Sequence, residues 1–345
     1  MKVAIEELTP ESADAGVAAH YGDPMREQRL LDTAVGLVDR ANRHVIAVPG
    51  EERASWLHTL TTQHLADLRA NQSSEFLVLS PHGHLEQHAL ITEDGTTAWL
   101  DTEPGAGEGL LEYLEKMRFF TRVEPRDATG EIAVLSLVGP GATDVVEGLA
   151  PPRIADVPGP KFAAGAVPTR ATALYEVRPF HGGLARRVPL GIDLLVPRAS
   201  VDEIKAALDV PPAGLWAYEA IRVAARIPRL GWESDHKTIP AEAGFMAAAV
   251  HLEKGCYRGQ ETVARVHHLG RPPRRLVLLH LDGIATDNPP SHGTPVTLDG
   301  REVGFIGTAV RHHELGMIAS AVIKRSVADD ARLQVAESAA AIDPA

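Results

Sequence analysis

Cysteine occurs once in the 345 residues, at Cys256. One thiol cannot close an intramolecular disulfide, which fits a reducing compartment, and it cannot supply the four thiolates that commonly hold an iron–sulfur cluster. Positive charge is also scarce: 34 Lys and Arg against 46 Asp and Glu leave a net charge of -12. That balance excludes tight, nonspecific nucleic-acid binding, which rests on many cationic contacts to phosphate, while leaving room for a small basic pocket. No stretch approaches the roughly 18 apolar residues of a membrane span. The opening MKVAIEELTPESADAG has neither an apolar run nor a basic start, so a cytoplasmic location without a membrane partner is expected. A phosphate-binding G-x-x-x-x-G-K-[ST] loop and a dinucleotide fingerprint are both missing, and no internal repeat is present.

What remains is the composition of an ordinary folded protein, 44% apolar and 23% charged. The length exceeds what one core usually organises, so two or three domains are expected. Residues 1–25, with Pro10, Gly16, Gly22 and Pro24, read as an irregular lead-in. Apolar residues recur at near-helical intervals over 30–38, a strand covers 45–48, and a helix is expected over 51–68. Strands at 76–80 and 85–92 flank Pro81-His82-Gly83-His84, the pattern of a β-hairpin. Further strands are expected at 96–101, 132–137, 171–177 and 191–196, and helices at 109–119, 141–149, 200–208 and 215–225, with Ser200 and Glu203 spaced as a capping box. The Pro-, Gly- and Ala-rich 150–168 reads as a long connection.

Strands flanking helices, without βα alternation, predict an α+β fold. Beyond Pro272-Pro273 short strands at 275–281, 294–298, 301–307 and 316–323, with an Asp299-Gly300 hairpin signal, predict a small C-terminal β-barrel. The expected organisation is a lead-in at 1–25, a body at 26–272 of two interleaved subdomains, a barrel at 273–336 and a frayed tail at 337–345.

The densest stretch is Lys254-Gly255-Cys256-Tyr257-Arg258-Gly259-Gln260-Glu261. Two glycines make it a shaped loop, and Lys254 and Arg258 flank the thiol in a way that favours a thiolate. An inert free cysteine beside a turn is the competing interpretation. The string KGCYRGQETVAR over 254–265 closely resembles the signature of the YgfZ proteins, folate-binding relatives of the T-protein (aminomethyltransferase) of glycine cleavage. The resemblance extends over about 31–270, most specifically through Arg222-Val-Ala-Ala-Arg226-Ile-Pro228 to Asp235 and through Ile239-Pro240-Ala241-Glu242.

That resemblance implies a GcvT-like body of antiparallel sheets and helices, with tetrahydrofolate or another folate in its cavity. It also implies iron–sulfur client enzymes as partners, including one that modifies tRNA. It makes Cys256 the transient thiolate or nucleophile, primed by Lys254 and Arg258, with Gly255, Tyr257, Gly259, Gln260 and Glu261 bracing the loop. Asp193, in Leu190-Gly191-Ile192-Asp193-Leu194, is similar in position to the T-protein's folate-binding carboxylate, which accepts two pterin hydrogen bonds at once. Arg222 and Arg226 would meet the ligand's glutamate tail. One departure stands out. Gln87 and His88 occupy the positions of the T-protein's aspartate pair, so the glycine-cleavage reaction is not expected. A folate-dependent aminomethyl- or methyltransferase is the alternative, and a folate-sensing module without chemistry a weaker one.

Sixteen histidines raise the question of a metal. His82, His84 and His88 are not spaced as a known zinc set, and the adjacent pairs His267-His268 and His312-His313 point to opposite faces in a strand, so no metal site is expected. His251 and His267 lie near Cys256 in sequence, yet nothing indicates a nucleophilic triad.

Overall fold

The structure is a computed structural model that describes residues 6–8, 12–147, 175–283 and 288–344. Among them one eleven-stranded sheet forms from two strand sets, and a separate six-stranded barrel closes at the C-terminal end. The body and barrel expected for an α+β chain are therefore both present.

The hairpin over Pro81-His82-Gly83-His84 organises the first set. Gln72–Leu79 runs antiparallel to Leu85–Glu93, which pairs with Thr97–Thr102, and that strand pairs with His44–Pro49. Successive strand residues face opposite ways, and both faces of this hairpin are covered. Phe76, Val78, Ala89 and Ile91 pack on Trp56, Leu57 and Leu60 of the Arg53–Leu60 helix and on Leu110 and Leu114 of the Gly107–Lys116 helix. Leu77, Leu79 and Leu85 pack the other way, on Phe245, Ala249, Val250, Tyr257 and Val263. The second face is thus closed by residues from the Cys256 loop and its flanks.

The second set holds Gly36–Asp39, Ile132–Val138, Gly191–Pro197, Gly183–Val188 and Tyr175–Phe180, joined to the first through Tyr175 and Glu176 opposite Ser73 and Gln72. A parallel pair, Pro212–Ala213 with Gly36–Asp39, ends it. Its core, with Leu135, Leu137, Ile192, Leu194 and Val196, rests on Ile204 of the Val201–Leu208 helix.

Several expected boundaries move. The lead-in contains a short ladder, Glu6–Glu7 with Ala18–His20, and its helix already starts at Pro24, because Asp23 caps it by accepting from the Arg26 N–H at 3.0 Å. The apolar run at 30–38 divides into that helix, which ends at Thr33, and the Gly36–Asp39 strand. The helix expected over 51–68 stops at Leu60, where the Thr61 N–H and hydroxyl both return to the Leu57 carbonyl. Ser200 makes no side-chain cap and sits in a 3-10 turn. The connection at 150–168 lies outside the described residues, as does the part of the 171–177 strand before Tyr175.

The expected tail at 337–345 is corrected most. Ser338–Ile342 pairs with both Leu333–Val335 and Arg274–Leu281 and closes the barrel. Ser338, Ala340 and Ile342 are buried while Ala339 and Ala341 are exposed, the period of a half-buried strand. Four small residues carry too little hydrophobicity to announce that alternation in the sequence. Among the described residues no helix is long and apolar enough to cross a membrane.

Candidate functional site

Cys256 is exposed, and the residues around it fix its loop. Lys254 is buried, with its ammonium directed at the carbonyls of His58, Thr61 and Gln63, the last at 3.1 Å, and over the Tyr257 ring at 5.2 Å. It caps the C-terminal end of the Arg53–Leu60 helix, where carbonyls lack helical partners and the dipole favours a cation. Burial pulls its pKa down from 10.5 to about 8. Tyr257 lies in the core under the hairpin. Gln260, the first residue of the Gln260–Leu269 helix, donates from Nε2 to the Lys254 carbonyl at 3.3 Å. Glu261, in that helix's first turn, is exposed.

Gly259 supplies the close approach. Its φ is +81°, and a Cβ there would stand 2.6 Å from the Ser80 carbonyl oxygen and 2.8 Å from the Gly83 Cα. Only glycine accommodates that seat without strain, so the loop fits backbone to backbone against the hairpin turn. Gly255, by contrast, faces open space. Arg258 donates to Glu86 at 2.9 Å and lies 5.8 Å over the Tyr113 ring. The two cations thus hold the loop down: one grips a helix end and the other the rim of a cavity.

That cavity measures about 670 Å³, and Glu86 and Gln87 form part of its wall. The lining also includes Arg229, Trp232, Asp235 and His236, Glu103, and His292 from the barrel. The Trp232 and His292 rings meet edge to face at 5.4 Å. The Gln87 amide oxygen is buried with no hydrogen-bond partner. A second hollow, only about 10 Å³, shares Glu103, Pro104 and Arg229 with the first and is lined also by Arg40, Asn42 and Tyr218. It too carries an orphaned polar group, the amide nitrogen of Asn42. The carboxylate of Asp14, in the lining of the smaller hollow, accepts a fork from Arg229 at 2.7 and 3.0 Å.

Behind the hollows runs a buried chain of alternating charges. Asp193 accepts from the Ser136 hydroxyl at 2.6 Å and from Arg186 at 2.8 Å, and Arg40 lies 3.8 Å away. Arg186 also grips Asp101, which Arg43 reaches at 2.9 Å, and Arg43 holds Glu103 at 2.7 Å. Glu103 passes to Arg229 at 2.7 Å, and Glu219 lies 3.3 Å from Arg229 and 2.7 Å from Arg222. Burial by itself would raise the Asp101 pKa, but the guanidiniums of Arg186 and then Arg43 overcome it and hold the group at about 2. In the same way Glu103 is held well below the carboxylate range by Arg229 and Arg43.

The residues expected to hold folate therefore occupy different settings. Asp193 is an ion-paired acceptor beside Arg40. Arg222 is 1% exposed, and Glu219, Glu233, Thr308 and the Ile227 carbonyl take its donors. Arg226 pairs with Asp343 at the end of the barrel. None of the three lines the larger cavity.

The hairpin's departure from an aspartate pair has a partner one strand away. His88 Nε2 lies 3.0 Å from Glu75, which also accepts from the Tyr175 hydroxyl. Burial works to raise the Glu75 pKa, and His88 followed by Tyr175 brings it below the usual value. An imidazole at 88 thus answers a carboxylate at 75.

Reasoning from sequence missed the cavity's other wall. Glu103, the Arg229 to Trp232 turn and His292 come from three separate segments, of which the sequence marks only 222–235, by its similarity to the family. It also missed the cluster of His58, His64 and His251, whose rings stand 4.7 and 5.2 Å apart beside Lys254. Burial, then Lys254 and the two neighbouring imidazoles, lower the His58 pKa to about 4, so that ring is neutral and accepts from the Leu65 N–H at 3.2 Å.

Comparison with known proteins agrees with this geometry. Residues 19–169 match the family model of the GCVT N-terminal domain. An aminomethyltransferase of Geobacillus kaustophilus is 29% identical over 313 residues, 88% of this chain and 82% of that protein. A putative transferase of Arabidopsis thaliana, described as chloroplastic, is 26% identical over 299 residues, 85% of this chain, and the match spans 66% of that longer protein. The crystal structure of the glycine cleavage system aminomethyltransferase T from Bartonella henselae superposes with a TM-score of 0.79 over 99% of this chain and 93% of that one, at 17% identity. Residues 19–169 are thus similar to the GCVT N-terminal domain, and the chain shares the fold of that aminomethyltransferase, ending in a closed antiparallel barrel.

Proposed function

We propose that this chain is a folate-binding accessory protein of the YgfZ type, which assists assembly or repair of iron–sulfur clusters in client enzymes through Cys256. The observation that carries the proposal is an exposed thiol on a loop fastened at both sides to the hairpin of the cavity wall, by Tyr257 beneath it and by the Arg258 pair with Glu86 at the rim. The Cys256 thiol gives its proton to water and binds cluster iron as the thiolate, displacing a labile ligand of that iron, with the cluster as cargo. Cytoplasmic location and cluster-containing clients, among them a tRNA-modifying enzyme, belong to the same proposal.

Tetrahydrofolate, a carrier of one-carbon units, fits the donor set. The larger cavity has the size of small-molecule sites, with the flat faces of Trp232 and His292 and an unsatisfied acceptor at Gln87 for a pterin's N–H groups. Asp193 is proposed as the deeper acceptor, beyond the small hollow where the Asn42 amide lacks a partner. Arg222 is assigned a positioning role: it holds Glu219 and Glu233, and these hold Arg229 at the cavity wall. Arg226 ties the body to Asp343 of the barrel, so no ligand contact is assigned to it.

The aminomethyltransferase alternative needs carboxylate chemistry on the hairpin, and Gln87 and His88 do not supply it. Calorimetric titration with tetrahydrofolate is expected to show one saturable site that Trp232→Ala weakens about tenfold, the cost of one lost aromatic stack of 1–3 kcal/mol. No saturable binding to the wild type rejects the folate part of the proposal. Turnover of an aminomethylated carrier with tetrahydrofolate rejects the accessory role in favour of the transferase.

A further inference from the structure

We infer that Asp32, His313 and Glu314 form a zinc-class divalent metal site joining the body to the barrel. One donor atom from each residue lies within 4.8 Å of the other two. His313 is the informative member. Its side chain is only 4% exposed, yet its Nε2 is buried without a hydrogen-bond partner and faces the Asp32 carboxylate at 3.6 Å, beyond hydrogen-bonding distance. A buried imidazole nitrogen without a partner is costly, and a cation between it and the carboxylate supplies one. The spacing suits this. Donor atoms around a tetrahedral zinc with bonds of about 2.1 Å are roughly 3.4 Å apart.

The turn that presents His313 is set by hydrogen bonds that do not involve the three ligands' side chains. The Gln28 amide of the Pro24–Thr33 helix donates to the Arg311 carbonyl at 2.9 Å and accepts the His313 N–H at 2.8 Å. His312 Nδ1 accepts the N–H groups of Glu314 and Leu315, each at 3.2 Å, and its ring stacks 4.7 Å from that of His313. The histidine is therefore held in place, while the exposed carboxylates of Asp32 and Glu314 can close the remaining distance of up to about 1.4 Å. One imidazole and two carboxylates suit zinc and its first-row neighbours, with water completing the shell. Monovalent copper favours sulfur ligands, and calcium and magnesium favour oxygen alone. His312 ends its strand and His313 opens the turn, so the two divide the work: His313 provides the ligand and His312 shapes the turn.

The test uses the full chain, stripped of metal with a chelator, and titrates zinc by calorimetry into the wild type and into Asp32→Asn/Glu314→Gln. Both substituted side chains are exposed, so folding is preserved. Because other histidines also take up zinc weakly, the difference between the two isotherms is the readout. The wild type is expected to bind one equivalent that the double variant and His313→Gln bind at least about tenfold more weakly. Zinc is expected to raise the wild-type Tm and leave the double variant's unchanged. Superimposable isotherms, or equal Tm shifts in the wild type and the double variant, overturn the site.

Discussion

Arg186 and Asp193 face each other on neighbouring strands, Nη2 to Oδ2 at 2.8 Å, with side chains 0% and 5% exposed. The carboxylate proposed for folate is thus the end of a buried ionic chain, and the partners that hold it lie well away from solvent.

Removing Arg186 leaves Asp101 and Asp193 buried and without its charge. Arg186→Leu is expected to cost about 3–5 kcal/mol, the range for breaking a buried pair from one side. Urea unfolding measures this. A cost below about 1 kcal/mol contradicts the chain's structural role.

The same chain fixes a response to acid. The Asp101 pKa falls from 3.8 to about 2 on folding, so its contribution is fully present above pH 4 and is lost as pH falls towards 2. About 2 kcal/mol is involved by linkage. Denaturation midpoints measured between pH 5 and 2 should fall more steeply for the wild type than for Asp101→Asn. Parallel curves refute it.

The two glycines of the cysteine loop should differ. Gly259→Ala places a Cβ 2.6 Å from the Ser80 carbonyl at positive φ and is expected to cost more than about 1 kcal/mol. Gly255→Ala meets open space and is expected to fall within about 0.5 kcal/mol. Equal costs in thermal unfolding would show that the loop is not seated on the hairpin.

Restoring an aspartate to the hairpin is not expected to restore transferase chemistry. His88→Asp sets a second carboxylate against Glu75, which now lies 3.0 Å from the imidazole, and should destabilise by about 1–3 kcal/mol with stability recovering at lower pH as one carboxyl takes a proton. Unfolding at pH 5 and pH 8 checks this. Greater loss at pH 5 than at pH 8 goes against it.

Much of the fold is legible in the sequence because strands with strong alternation and firm turns declare themselves, as Phe76 to Leu79 do before Pro81-His82-Gly83. The barrel's last strand does not, since Ser338, Ala339, Ala340 and Ala341 carry little hydrophobic contrast. The thiol loop is legible in its residues but not in how its charges are used. Lys254 and Arg258 read as neighbours of Cys256 along the chain, whereas the fold turns one into a helix cap and the other into a clasp on Glu86. Asp193 is readable as a strand carboxylate, but its partners Arg186, Ser136 and Arg40 come from other strands and turns, and no local pattern announces them. The cavity is the least legible part, because Gln87, Glu103, Trp232 and His292 meet only after the barrel docks on the body.

The central claim rests on a thiol held at the cavity's edge to act on clusters. Its most direct test is the activity of a cluster-dependent tRNA-modifying enzyme in a bacterial strain lacking its own YgfZ-type protein, complemented with this chain or with its Cys256→Ser variant at equal abundance. The account predicts restored activity with the wild type and little above background with the variant. Equal restoration by both, or none by the wild type, contradicts it.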